Sequence, residues 1–272
     1  MGFSINTNAG ALIALQNLST TNRTLNVVQN RINTGLKVSG AKDDASIFAI
    51  AQKQRADLGG YSAVKDSINR AISAVDVALA GAEAISDLII QMKEKAVSAA
   101  DLGNDDASRV ILNEDYQQLA LQIQTIVLNA QFNGKNALRN DDINAIVSAA
   151  GSSTNAITVQ AADFLPFANG LTLLSLTSQP VAAITSNSLD GFTDIVNGVL
   201  SKFGAGAKRL EIAGAFVEKI SDAVEVGIGN LVDADLARES ANLQSAQVKQ
   251  QLGLQALAIA NQAPRTVLSL FN

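Results

Sequence analysis

The chain has 272 residues, 47% apolar but only 4% aromatic, with no tryptophan, cysteine or histidine and a formal charge of −5. That apolar share excludes a wholly disordered chain, and the charge offers no basic field for nucleic acid. Without Cys or His there is no thiol or imidazole nucleophile–base pair and no Cys/His zinc site. Catalysis would have to rest on carboxylates, Lys, Tyr or Ser alone, and no cofactor is expected.

Charge also divides the chain by position. Residues 1–42 carry only Arg23, Arg31, Lys37 and Lys42, and residues 240–272 only Lys249 and Arg265. All 25 acidic side chains lie between Asp43 and Glu239, so the middle nets −11 against +4 and +2 at the ends. Both ends are apolar on one face and rich in Asn and Gln on the other, as expected of helices that pair with each other and with copies of themselves. No run approaches the roughly 18 apolar residues of a membrane span, so membrane insertion is not expected. No basic segment precedes an apolar run at the start, so export is expected without a cleaved signal peptide. Asn6 occupies the position where a myristoylation motif needs Ser or Thr.

In chain order, residues 7–34 show a heptad seam of Ala11, Ala14, Leu18, Leu25, Val28 and Ile32, closed by Gly35. A connector over 36–42 follows, and Asp43-Asp44 opens a second helix, with Asp43 favoured as its cap over an inter-subunit pair with Lys42. Gly59-Gly60 reads as a break. From Tyr61 to Ala100 the a positions are Tyr61, Ile68, Val75, Ala82, Ile89 and Ala96. The d positions are Val64, Ala71, Ala78, Ile85, Met92 and Ala99, and none of the twelve is charged. Forty helical residues span about 60 Å, so this segment predicts a rod.

A tight turn over Leu102–Asp105 then returns the chain antiparallel, along a seam of Leu112, Tyr116, Leu119, Ile123, Ile126 and Ala130. Residues 141–190 are rich in Ser, Thr, Asn and Gly. Within them 156–160 and 171–177 are strand candidates, paired in a small sheet or hairpin. Helical spacing resumes at Val196, Val199, Phe203, Leu210, Ala213, Val217, Ile220, Val224 and Leu231. The last segment, 236–262, carries Val248, Leu252, Ala256 and Ile259 on one stripe and Gln244, Gln247, Gln251, Gln255 and Gln262 on another. Pro264 is expected to stop or kink it.

Two terminal blocks go beyond periodicity. One is Ser4-Ile5-Asn6-Thr7-Asn8, Gln16-Asn17-Leu18, Arg31-Ile32-Asn33-Thr34-Gly35-Leu36-Lys37 and Ala41-Lys42-Asp43-Asp44-Ala45. The other is Asp233-Ala234-Asp235 with Ala260-Asn261-Gln262-Ala263-Pro264-Arg265-Thr266-Val267-Leu268-Ser269-Leu270. With Gln131-Phe132-Asn133-Gly134, they make the chain resemble bacterial flagellins over about 1–140 and 190–272, most closely the short two-domain alphaproteobacterial form. It departs from the common pattern at Ile47-Phe48, where many flagellins have Gly-Leu, and at Asn272, where a basic residue is common.

The resemblance implies a mainly α fold: a long antiparallel coiled-coil rod with a small β region and paired terminal helices. Residues 1–42 and 231–272 would form an inner coiled-coil domain, 43–140 and 190–230 a rod domain, and 141–189 its short variable segment. It implies a structural subunit that polymerises into the flagellar filament, extracellular and used for motility, whose ends order on assembly. The expected partners are other copies, the filament cap and hook-associated junction proteins, a cytoplasmic export chaperone and the flagellar type III export apparatus. Polymerisation seams are expected at Leu18, Leu25, Val28, Ile32, Val248, Leu252, Ile259, Leu268 and Leu270. Gln244, Gln247, Gln251 and Gln255 read either as a solvated helix face or, through the resemblance, as the lining of the export channel. Ser152, Ser153 and Thr154 read as plain loop residues or as O-glycosylation sites. Flagellins seen by the Toll-like innate receptor carry Arg, Leu and Glu where this chain has Gln91, Lys95 and Gln122, so receptor activation is expected to be weak.

Other readings fare less well. A hook–filament junction protein shares the terminal helices, but the low aromatic content and the close match to flagellins at Ala260–Leu270 favour a flagellin. A zinc protease inserted in the middle is excluded by the missing His, and the aligned seams leave no obvious catalytic pocket, so the chain is not expected to be an enzyme. A free coiled-coil adaptor would explain the heptads but not the terminal blocks.

Overall fold

In a computed structural model of the chain, residues 7–149 and 155–268 are described, with side chains given through Gln262. The elements are α1 (Ala9–Thr34), α2 (Ala45–Ala100), α3 (Asp106–Asn129), β1 (Ile143–Ile146), β2 (Ala156–Val159), α4 (Leu165–Leu173), α5 (Gln179–Val232) and α6 (Leu236–Leu268). They divide into two compact units, one of residues 1–56 and 224–272, the other of 57–223. Among the described residues the fold is mainly helical, as the heptads predict, with one two-stranded antiparallel sheet where a small sheet is expected.

The second unit is organised by α2. Every a and d position from Val64 to Ala99 is buried, and Tyr61 is half-buried against the same core. Against this stripe lie Tyr116, Ala120, Ile123 and Val127 of α3 and Leu189, Val196, Phe203 and Leu210 of α5. Burying each large apolar side chain contributes about 1.5–3 kcal/mol, so the seam rather than local propensity sets the register. Exposed pairs add little to this. Lys65 Nζ meets Glu218 Oε1 at 2.9 Å between α2 and α5. That hydrogen bond raises the lysine pKa and lowers that of the glutamate.

Several expectations are corrected. Gly59-Gly60 does not break the chain, because α2 runs unbroken from Ala45 to Ala100. Two glycines cost about 1 kcal/mol each in a helix, less than the packing on either side returns. Gly60 also has a positive use, since a Cβ there would lie 2.9 Å from both Cβ and O of Ala149. On α3 the buried stripe runs through Arg109, Tyr116, Ala120, Ile123 and Val127, leaving Leu112, Leu119 and Ile126 half-buried. The Tyr116 hydroxyl is buried without a hydrogen-bond partner, and burial pushes its pKa up.

Of the two strand candidates, only 156–160 is confirmed, as β2. Its partner is β1, in register Ile143↔Val159 to Ile146↔Ala156. Residues 171–177 are not a strand; they hold the end of α4 and the turn after it. Pro166 in the first turn suits a helix start, and Phe164, Ala168 and Leu171 are buried at helical spacing, which strand alternation would not allow. α5 also begins earlier than the apolar spacing suggests, with Pro180 tolerated in its first turn. Pro264 does not end α6, which continues to Leu268.

The sheet is held on α5 by a close approach at Gly206. A Cβ there would stand 2.7 and 2.8 Å from the Cγ atoms of Val159, a stiff β-branched side chain that is 3% exposed. Gly206→Ala should therefore destabilise the unit by about 1–3 kcal/mol through overpacking, although helix propensity alone favours alanine by about 1 kcal/mol. Val159→Ala in the same chain should recover much of that loss, giving a clear coupling energy in a double-mutant cycle. Additive losses measured by urea unfolding would show that the two residues do not meet.

Candidate functional site

The first unit is built on α1 and α6. Asn8 caps α1, its Oδ1 accepting the Ala11 N–H at 3.0 Å while its Nδ2 donates to the Ala260 carbonyl at 2.7 Å. One side chain thus starts α1 and ties it to α6. Gly35, at φ 71°, ends α1 in the left-handed conformation, as its position predicts. Asp235 caps α6 by accepting the N–H groups of Ala237 and Arg238 at 3.0 and 3.1 Å. The two helices run antiparallel and are joined by Arg31 Nη1 to Glu239 Oε1 at 3.2 Å and Gln250 Nε2 to Asn22 Oδ1 at 2.7 Å.

The connectors between helices are tied as well. Ala234 N–H donates to the Gly35 carbonyl at 2.9 Å, and Lys37 N–H to the Val232 carbonyl at 2.6 Å. Here the cap assignment is corrected: Asp44, not Asp43, caps α2, accepting from the Ser46 and Ile47 N–H groups at 3.0 Å each. Asp43 braces the connector, its Oδ2 accepting from Ser39 N, Ser39 Oγ and Gly40 N. Those bonds, the Ser39 N–H foremost, hold its pKa below the ordinary 3.8.

The α1 seam faces inward as its heptads predict: Leu18 and Val28 are buried and Ala11, Ala14, Leu25 and Ile32 half-buried. On α6 the inward stripe is different from either stripe read in the sequence. It consists of Leu243, Ala246, Gln250, Gly253, Leu257 and Ala260, and a Cβ at Gly253 would sit 3.3 Å from Leu18 Cδ1. The signal was present in the small residues Ala246, Gly253 and Ala260, one per heptad, which let two helices approach closely.

Two apolar faces are left on the outside of this pair. Val248, Leu252 and Ile259 are 55%, 57% and 68% exposed, and Leu12 and Ile13 on α1 are 53% and 59% exposed. At 100° per residue, Leu12, Ile13 and Val27 lie roughly opposite the α1 seam. Gln244, Gln247, Gln251 and Gln255 are all exposed, on one flank of the side of α6 turned away from α1, and the Val248–Leu252–Ile259 stripe is on its other flank. Along one side of the pair runs a groove of about 640 Å³ that includes Thr20, Arg23, Thr24, Asn242 and Lys249, with the Arg31–Glu239 pair in its wall. Among the described residues, no three acidic side chains gather as a metal site.

Other sequence-derived positions are scattered. Gln91 and Gln122 are exposed, and Lys95 Nζ pairs with Asp115 at 2.6 Å. Ser152, Ser153, Thr154 and Leu270 lie outside the described residues, as does the side chain of Leu268.

The profile of the bacterial flagellin N-terminal helical region matches residues 5–142, and that of the C-terminal helical region matches residues 188–271. The chain belongs to the bacterial flagellin family. It is 45% identical over 269 residues to Flagellin FljM of Caulobacter vibrioides, covering 98% of both chains. It is 33% identical over 280 residues to a flagellin of Brucella melitensis, covering 98% of this chain and 99% of that one. The short alphaproteobacterial resemblance is thereby confirmed. A crystal structure of Bacillus cereus flagellin shares the fold at a TM-score of 0.51 and 24% identity, over 56% of this chain and 88% of that one. This flagellin is a structural subunit of the extracellular bacterial flagellar filament, into which it polymerises, and not an enzyme. Among the described residues no helix is long and apolar enough to cross a membrane.

Proposed function

We propose that this flagellin enters its filament through the outward apolar faces of the α1–α6 pair, and that these helices gain their final order as neighbouring copies cover them. The observation that carries this reading is that Leu12 and Ile13 on α1 and Val248, Leu252 and Ile259 on α6 point away from the seam that joins the two helices. Leu18, Leu25, Val28 and Ile32 build the pair; the outward residues meet other copies. Unlike faces that meet without closing a ring generate an open helical polymer. Before assembly the same faces need masking, which supports a chaperone in the cytoplasm that hands the chain to the flagellar type III export apparatus. At the ends of the polymer the matching surfaces belong to the filament cap and the hook-associated junction proteins.

The glutamine stripe of Gln244, Gln247, Gln251 and Gln255 faces the channel in this arrangement. Uncharged amides hydrate a channel wall without holding a charged passenger tightly, and the absence of acid from both ends keeps like carboxylates apart in a crowded tube. Electron microscopy of the purified chain with short filament seeds should show long uniform filaments, lost on removal of 1–34 or 236–272. Growth by a chain lacking either end would refute the reading, and glutamines found packed between copies in the filament would refute the channel assignment.

A further inference from the structure

Asn-Gly occurs at Asn133-Gly134, Asn169-Gly170 and Asn197-Gly198, and the fold treats the first pair differently from the other two. Asn133 and Gly134 form the centre of a tight turn in which Phe132 N–H donates to the Lys135 carbonyl at 2.9 Å and Lys135 N–H returns to the Phe132 carbonyl at 3.0 Å. Both central residues are left-handed, at φ 50° and 76°. Asparagine and glycine are the residues that tolerate that conformation, so the turn selects the pair for its backbone. We propose that Asn133 is this chain's site of spontaneous conversion from asparagine to aspartate and isoaspartate.

The step is an intramolecular displacement. The backbone nitrogen of Gly134 gives up its proton and bonds to Cγ of Asn133. The bond from Cγ to Nδ2 breaks, and Nδ2 departs with a proton as ammonia. Water then opens the resulting five-membered imide. Cleavage at Cγ leaves aspartate; cleavage at the main-chain carbonyl leaves isoaspartate, with the backbone running through the side chain. No atom changes oxidation state, and solvent water is the co-reactant.

Three features favour Asn133. Its side-chain amide and the Gly134 N–H make no hydrogen bond to any described residue, so neither reacting group must first be released. Both residues are exposed, and nothing lies within 4 Å of where a Gly134 Cβ would stand, which leaves room for the ring. The other two pairs are inside α4 and α5. There the glycine N–H donates to the carbonyl four residues back, and the helical backbone turns it away from the preceding side chain. Asn169 Oδ1 is further engaged by Gln124 Nε2 at 3.0 Å. Exposure alone does not separate the sites, because Asn197 and Gly198 are exposed too. The helix does.

The two products differ in consequence. Aspartate adds a carboxylate to a shallow pocket lined by Arg70 and Lys135 but also by Asp142, with Lys135 already 3.9 Å from Asp141. Isoaspartate lengthens the main chain three residues before Asn136, whose Nδ2 donates to the Val127 carbonyl at 2.8 Å and whose Oδ1 accepts the Leu138 N–H at 3.0 Å.

The test is peptide mapping by mass spectrometry of the full chain held at mildly alkaline pH, with and without denaturing urea. In the native chain, amide loss at Asn133 should run several-fold faster than at Asn169 or Asn197, and in urea the three rates should converge. Asn133→Gln, which would need a larger and slower-forming ring, should show no such loss at its position. Equal rates at the three sites in the native chain, or an intact Asn133 while a helical site converts, would overturn the proposal. Because the parent chain carries its own comparison, this holds even if the variant folds poorly.

Discussion

Replacing Val248, Leu252 and Ile259 with aspartate should abolish filament growth while leaving the helix content and unfolding midpoint of the isolated chain close to those of the parent. All three side chains are more than half exposed in the single chain, and exposed substitutions away from special features typically cost within about 0.5 kcal/mol. In the proposed assembly the same positions are covered by neighbouring copies. A carboxylate buried there without a partner costs about 3 kcal/mol or more, and even that much per subunit raises the concentration needed for growth roughly 100-fold. The chain itself argues the same way, since no acidic residue stands before Asp43 or after Glu239. Leu18→Asp supplies the contrast, for Leu18 is buried in the α1–α6 seam and its loss should unsettle the pair itself. Seeded elongation followed by light scattering and microscopy separates the cases. Growth of the triple variant at parental concentrations would mean that the α6 stripe faces solvent in the filament.

That experiment turns on a distinction only partly legible in the sequence. Periodicity located both terminal helices, the α2 heptads and the antiparallel return of α3, because burial along a helix repeats with the backbone and leaves its mark on every turn. It could not say which of the apolar stripes on α6 meets α1. Val248, Leu252 and Ile259 are larger and look more like a core, yet Ala246, Gly253 and Ala260 face the partner because closeness favours small side chains. Gly59-Gly60 misled for the opposite reason: a local cost of about 1 kcal/mol per glycine is visible in sequence, while the tertiary packing that outweighs it is not. Residues 171–177 failed as a strand because Phe164, Ala168 and Leu171 had already fixed a helical register upstream. The connector caps were misassigned by one position, Asp44 taking the role expected of Asp43, since both are acidic and only geometry separates them.

Arg109 is the residue that periodicity passed over, and its removal should be among the most damaging single changes in the second unit. It sits seven residues before Tyr116 on the buried stripe of α3 and is 7% exposed. Its Nε donates to the Ala99 carbonyl at 3.0 Å and its Nη2 to the Asp101 carbonyl at 2.9 Å, while Nη1 meets Asp106 Oδ1 at 3.2 Å. The last carbonyls of a helix have no partner within it, and here one guanidinium satisfies the end of α2 and the turn beyond it while starting α3. Arg109→Ala would leave those carbonyls unpartnered at a cost of about 3 kcal/mol, from roughly 1–3 kcal/mol for each. Arg109→Lys should recover only part of it, because a compact ammonium does not reproduce the planar fork that reaches all three acceptors. The neighbouring Lys95–Asp115 pair cannot compensate, being exposed and so worth at most about 1 kcal/mol. Urea unfolding should show the loss, and hydrogen exchange should speed up first at the turn between Leu102 and Asp105. A variant as stable as the parent would mean that water takes over the carbonyls without penalty, and the α2–α3 turn would then be held by the apolar seam alone.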